Sequence, residues 1–157
     1  KELQDRKDIH FLIIGEGAGK ETIEEMAKNM ENITVLPMQP SEIAAHIYSA
    51  AGVNIIPMVP GGTKTALPSK TGVILSCGKP AVFTFGSESQ FGNYLERYGA
   101  GMSVSADSSE ELKNAILRYK NQAYDKIEGS YELYRYLFKR SENIKKYTEA
   151  VESVCQK

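Results

Sequence analysis

Ile9–Ile14 (IHFLII) is a short, nearly continuous apolar run that stops at Gly15. Such a strand needs both faces covered, which points to a parallel sheet flanked by helices. The segments that follow keep that rhythm. Lys20–Met30 carries Ile23, Met26, Ala27 and Met30 at helical spacing. Ile33–Leu36 reads as a second strand, and Ser41 is placed to cap a helix over Glu42–Ala51. Val53–Met58 is a third strand, with Pro57 at its end. Pro68 fits the first turn of a helix that ends at Gly78. Ala81–Phe85 is a fourth strand, Glu88–Tyr98 a helix closed by Gly99, and Gly101–Ser105 a short fifth strand. Ser108 and Glu111 form a capping-box pattern for Glu110–Asn121. From Tyr131 onward, Tyr134, Phe138, Ile144, Tyr147, Val151 and Val154 recur at steps near three and four, with a gap at Ser141. That spacing predicts one long helix reaching Cys155 and makes the tail's tyrosines core or interface residues.

Alternating short strands and helices predict an α/β fold, a Rossmann-like doubly wound parallel sheet. The 157 residues fit a single domain able to bury roughly two thirds of its unfolded surface. A net charge of −1 gives no electrostatic case for nucleic acid or an anionic membrane. No apolar run approaches the roughly 18 residues of a membrane span, and the polar opening KELQDRKD is not a signal peptide. The expected location is therefore the cytoplasm, with Cys77 and Cys155 as reduced thiols. The chain opens at Lys1 rather than Met, which reads as a piece of a longer protein. His10 and His46 are too few and too scattered for a zinc site, so no metal is expected.

In doubly wound sheets ligands sit beyond the carboxyl ends of the strands, so the loops after strands one, two and three matter most. The first is Gly15–Glu21 (GEGAGKE), where backbone N–H groups at a helix start can meet an anion. It is not a phosphate-binding Walker loop, because Glu21 follows Lys20 and the spacing is one residue short. It is not a dinucleotide fingerprint either, because Lys20 stands where the third glycine belongs. It reads equally as a plain glycine turn or as a loop lining a nucleotide site. Glu16, Glu21, Glu24 and Glu25 read as a solvated first helical turn. The third loop and its helix, Val59–Val82, say more. Gly61 and Gly62 permit close backbone approach to a ligand, Lys64 and Lys70 supply charge, and Thr63, Thr65 and Ser69 supply hydroxyls. Ser69 and Lys70 are placed in the first helical turn, where a cation is unfavourable unless an anion compensates it. That mismatch points to a phosphate ligand.

The ordered set of segments resembles a known family. FLIIGEG, a helix, and then NITVLPMQPSEIAAHIYSAAGVNIIPM are similar to the retaining family 4 glycosyltransferases. LPSKTGVILSCGKPAVFTF resembles their PSK variant, and GNYLERYGAGMSVSADSSEELKNAI continues the match to about residue 121. FKRSENIKKYTEAV is similar to the family's closing helix. The resemblance implies half of a two-domain GT-B fold, the half that holds an activated sugar, with UDP the commonest nucleotide. It implies residues 131–157 facing a missing N-terminal acceptor-binding domain, and peripheral membrane association through that missing half. The donor would be contacted by Gly15, Glu16 and Gly17 after strand one, and by Pro37 and Met38 beside the base. Gly61, Gly62, Thr63, Lys64 and Thr65 would lie near the sugar and diphosphate, with Ser69 and Lys70 in the PSK element. Transfer would need no metal, and helix N-termini with basic side chains would stabilise the leaving diphosphate. The family's two motif carboxylates would fall at Thr65 and Val73, and neither is acidic here. The leading expectation is a glycosyltransferase of hexosyl type that builds a cell-surface glycan, with the isolated piece inactive. The alternatives are a sugar-nucleotide epimerase of the same architecture and a degenerate, non-catalytic scaffold.

Overall fold

A computed structural model of the chain describes residues 2–58, 67–86, 89–121 and 128–155. The chain divides into two compact units, Lys1–Ile47 and Tyr48–Lys157.

In the first unit, β1 (Phe11–Ile14) pairs in parallel with β2 (Ile33–Leu36), Phe11 opposite Ile33 and Ile14 opposite Leu36. The strand begins at Phe11, two residues later than expected. The Phe11 N–H donates to Asn32 O (2.8 Å), so pairing starts where the partner strand arrives. Helix α1 (Lys20–Ala27) joins the two strands and packs against β2. It stops short of Met30, whose N–H turns back to Ala27 O (2.8 Å). Asn32 is buried and donates from Nδ2 to Leu3 O (2.8 Å) and Arg6 O (3.3 Å), tying the leading segment to the start of β2. Leu12 and Ile13 point to opposite faces of β1 yet stay 50% and 38% exposed. Within this unit α1 packs against the parallel pair that the apolar run predicts. Ser41 does not cap the next helix. It opens a 3-10 turn, Ser41–Ile43, after Pro40, with no side-chain cap bond, and this leads into α2 (Ala44–Ala50).

In the second unit, three parallel strands lie in the order β3 (Asn54–Ile56), β4 (Ala81–Phe83), β5 (Gly101–Ser103). Period-two alternation divides its core. Ala81 and Phe83 face one side, packed with Ile56, Ile74, Leu75, Leu95, Ala100 and Leu133. These come partly from α3 (Thr71–Ser76), α4 (Gln90–Arg97) and α6 (Glu128–Leu137). Val82 faces the other side with Val104, Ala115 and Tyr119, the last two from α5 (Ser109–Lys120). Helices thus cover both faces of a parallel sheet, the doubly wound arrangement expected.

Local end signals explain the helix limits. Ser89 Oγ accepts from the Gly92 N–H (3.2 Å), and Ser108 Oγ accepts from the Glu111 N–H (3.1 Å). The Glu111 carboxylate accepts from the Ser105 N–H (2.8 Å), one turn earlier than a reciprocal capping box would place it. Gly78 closes α3 at φ 67°.

The tail is two helices, α6 and α7 (Arg140–Cys155), not one. The N–H groups of Phe138 and Lys139 both donate to Tyr134 O (2.8 and 3.1 Å), which ends the helical ladder. Asn143 Nδ2 then caps Leu137 O (2.8 Å). The break explains the gap in apolar spacing at Ser141. Among the described residues, no helix is long and apolar enough to cross a membrane.

Candidate functional site

Two of the sequence-selected loops meet in the first unit. Gly15 leaves the carboxyl end of β1 and donates its N–H to Leu36 O at the carboxyl end of β2 (3.2 Å). Gly17 adopts φ 149°, a conformation that L side chains rarely reach, and its carbonyl accepts from the Lys20 N–H (3.1 Å). Between them, Glu16 is the joint. One carboxylate oxygen accepts from the Met38 N–H (3.3 Å), and the carboxylate binds Lys20 Nζ at 2.9 and 3.0 Å. The hydrogen bond from Lys20, helped by that from Met38, holds the Glu16 carboxyl below its ordinary range, and Glu16 in turn raises Lys20. Both side chains remain in contact with water, so the tie positions the loops more than it stabilises the unit.

Gly15, Glu16, Gly17, Pro37 and Met38 are therefore brought together beyond the carboxyl ends of adjacent parallel strands. Glu16 is not part of a helical turn, since α1 begins at Lys20. Glu21, Glu24 and Glu25 do lie exposed on α1, as a solvated turn would.

The second unit carries Ser69 and Lys70. They precede α3 and do not lie within it. The Thr71 N–H donates to Pro68 O (3.0 Å), a three-residue turn that delays the helix, while Lys70 O accepts the first helical bond from Ile74 (3.1 Å). Lys70 is thus the N-cap residue, exposed, with helical torsions of −74° and −12°. Val73, at the position where the family places a carboxylate, is 41% exposed. Gly61, Gly62, Thr63, Lys64 and Thr65 lie outside the described residues.

Thr84 is a positioning residue that the sequence reading missed. It is buried at the end of β4, where its hydroxyl accepts from the Met58 N–H (2.7 Å) and donates to Met58 O (3.3 Å). A hydroxyl inside the apolar run AVFTF was the available signal. Thr84→Val keeps the shape but strands both Met58 groups, and should cost about 1–3 kcal/mol. A chemical-denaturation midpoint equal to that of the parent would refute this.

Among the described residues, no group of three or more His, Cys, Asp or Glu is placed to hold a metal ion. With this geometry, comparison with known proteins is informative. A family model, "Glycosyl transferases group 1", matches residues 1–122. The chain belongs to that family. Its resemblance to the group 1 glycosyltransferases is borne out, and its parallel, helix-covered strands are those of the Rossmann-like half of a GT-B fold. Among the described residues the match covers β1–β5 and α1–α5, and stops before α6 and α7. An Escherichia coli K12 protein described as "Putative colanic acid biosynthesis glycosyl transferase WcaI" is 29% identical over 109 residues. That alignment covers 68% of this chain and 27% of the relative, so the chain spans about a quarter of that protein's length.

Proposed function

We propose that this chain is the donor-binding part of a glycosyltransferase that elongates a polysaccharide. It would hold the diphosphate of a nucleotide sugar, UDP-linked, without a metal. The observation that carries the reading is the Glu16 bridge, which sets the loop after β1 against the Met38 backbone at the carboxyl ends of two parallel strands. Ligands of doubly wound sheets bind at strand ends of this kind. Ser69 and Lys70, exposed at the turn leading into α3, supply a hydroxyl and a cation for the diphosphate. The colanic acid role belongs to the relative's description. Only the broader class, glycosyl transfer into a polysaccharide, is taken over here, and the cytoplasmic location is part of our proposal. An acceptor-binding domain of the same protein would supply the other wall of the cleft and cover the exposed side chains of α7, where Ile144, Tyr147, Val151 and Val154 are all more than half exposed.

The test is a calorimetric titration with UDP, GDP and their sugar conjugates. One nucleoside diphosphate should bind saturably, and Lys70→Ala should weaken it by about fivefold, roughly 1 kcal/mol. Unchanged affinity in Lys70→Ala would remove Lys70 from the site. A scaffold reading is favoured by one observation, the exposed apolar Val73 where a carboxylate would hold the ribose. Failure of the whole protein to bind any nucleotide sugar would select it.

A further inference from the structure

The second unit contains a recess of about 400 Å³ lined by Tyr98, Glu132, Arg135, Tyr136, Glu142 and Lys146. The rings of Tyr98 and Tyr136 lie 6.1 Å apart at 23°, a separation that requires an offset, stepped stack. Tyr94 meets Tyr136 at 6.0 Å, and Lys146 Nζ sits 4.6 Å from its ring centre while donating to Tyr136 O (2.9 Å). These contacts fix Tyr136 although it is 45% exposed. Glu142 is engaged by Lys139 (3.4 Å). Glu132 and Arg135 are exposed on α6, and neither holds an ion pair among the described residues.

The wall thus combines aromatic surface, two phenol hydroxyls, two carboxylates and two cations. Its formal charge cancels, which argues against a phosphate or carboxylate ligand. A neutral sugar fits this set. Its vicinal hydroxyls can donate to Glu132 and accept from Arg135, and its C–H groups can meet the exposed part of Tyr136. We infer that this recess binds a neutral sugar residue of a glycan chain. The inference does not rest on the donor reading, because the recess shares no residue with the set assigned to the nucleotide.

The test titrates the isotope-labelled chain with maltotriose, cellotriose and mannotriose, and separately with uridine diphosphate, by NMR. The expected result is saturable shifts at Tyr98, Tyr136 and the start of α7 with at least one trisaccharide, at about millimolar affinity. The exposed double variant Glu132→Ala/Arg135→Ala should weaken that binding about fivefold or more, with the remaining spectrum unchanged. Absence of saturable shifts at these residues up to about 50 mM of every trisaccharide overturns the inference. Trisaccharide shifts that persist unweakened in the double variant also overturn it. So does uridine diphosphate moving these resonances when the sugars do not. Loss of nucleotide binding elsewhere would count against the donor reading alone.

Discussion

Phe83→Ala will lower the thermal unfolding midpoint of the chain by about 10 °C. Phe83 is fully buried in the middle strand of the second unit. It stacks on Phe85 (5.2 Å, 11°) and meets Phe91 edge-on (5.1 Å, 76°). Truncation removes the ring and both aromatic contacts, and leaves a cavity between helices that reach the sheet from separate parts of the chain. Phe→Ala changes at such sites cost about 3–5 kcal/mol. In a protein of this size each kcal/mol moves the midpoint by about 2–4 °C. Calorimetry checks it, and a drop smaller than about 3 °C would show that the site collapses around the missing ring.

The position of Phe83 was legible in the sequence because a central parallel strand is a short apolar run with covered faces. The same rule places IHFLII in a parallel sheet, where Phe11–Ile14 pair with Ile33–Leu36. End signals that act within four residues were readable, including Ser108 with Glu111 and the glycine closing α3. Ser41 reads locally as a cap, whereas after Pro40 it opens a 3-10 turn that has no side-chain cap bond. The break between α6 and α7 leaves only a missing apolar residue in the sequence, since it is made by backbone N–H groups turning back to Tyr134 O and by the amide of Asn143 capping Leu137 O.

The candidate site divides along the same line. The glycines after β1 and the residues after β2 could be selected from their place after strands. The bond that joins them could not, because Glu16 reaches Met38 across 22 positions. Sequence reading therefore grouped Glu16 with the carboxylates of α1, whereas its partners, Met38 and Lys20, give it a different role. Thr84 was hidden for a related reason. Its hydroxyl serves the backbone of Met58, 26 residues earlier, and a threonine in a strand carries no local mark of that duty. The candidate loops are held by long-range hydrogen bonds to their backbones, and those become visible only once the strands are in register.

Gly129→Ala will destabilise the second unit despite its location in a helix, where alanine is ordinarily the better residue. Gly129 is buried in the first turn of α6, against the carbonyl of Tyr98 at the end of α4. A Cβ there would overlap the Tyr98 carbonyl oxygen, so one helix must move. The adjacent Ser130 is also buried, and its hydroxyl contacts Lys79 O (3.2 Å) and Ala100 O (3.3 Å). Displacing α6 therefore strains those contacts as well and shifts Tyr136 relative to Tyr98. Overpacking against backbone costs about 1–3 kcal/mol, and the intrinsic helix gain of about 1 kcal/mol offsets only part of it. Because the overlap is with backbone, the cost lies at the upper end of that range, and a net loss of about 2 kcal/mol would lower the unfolding midpoint by about 4–8 °C. The same displacement should weaken trisaccharide binding at the Tyr98–Tyr136 recess while leaving nucleotide affinity unchanged. A midpoint at or above that of the parent would mean that the two helices are not held together at Gly129.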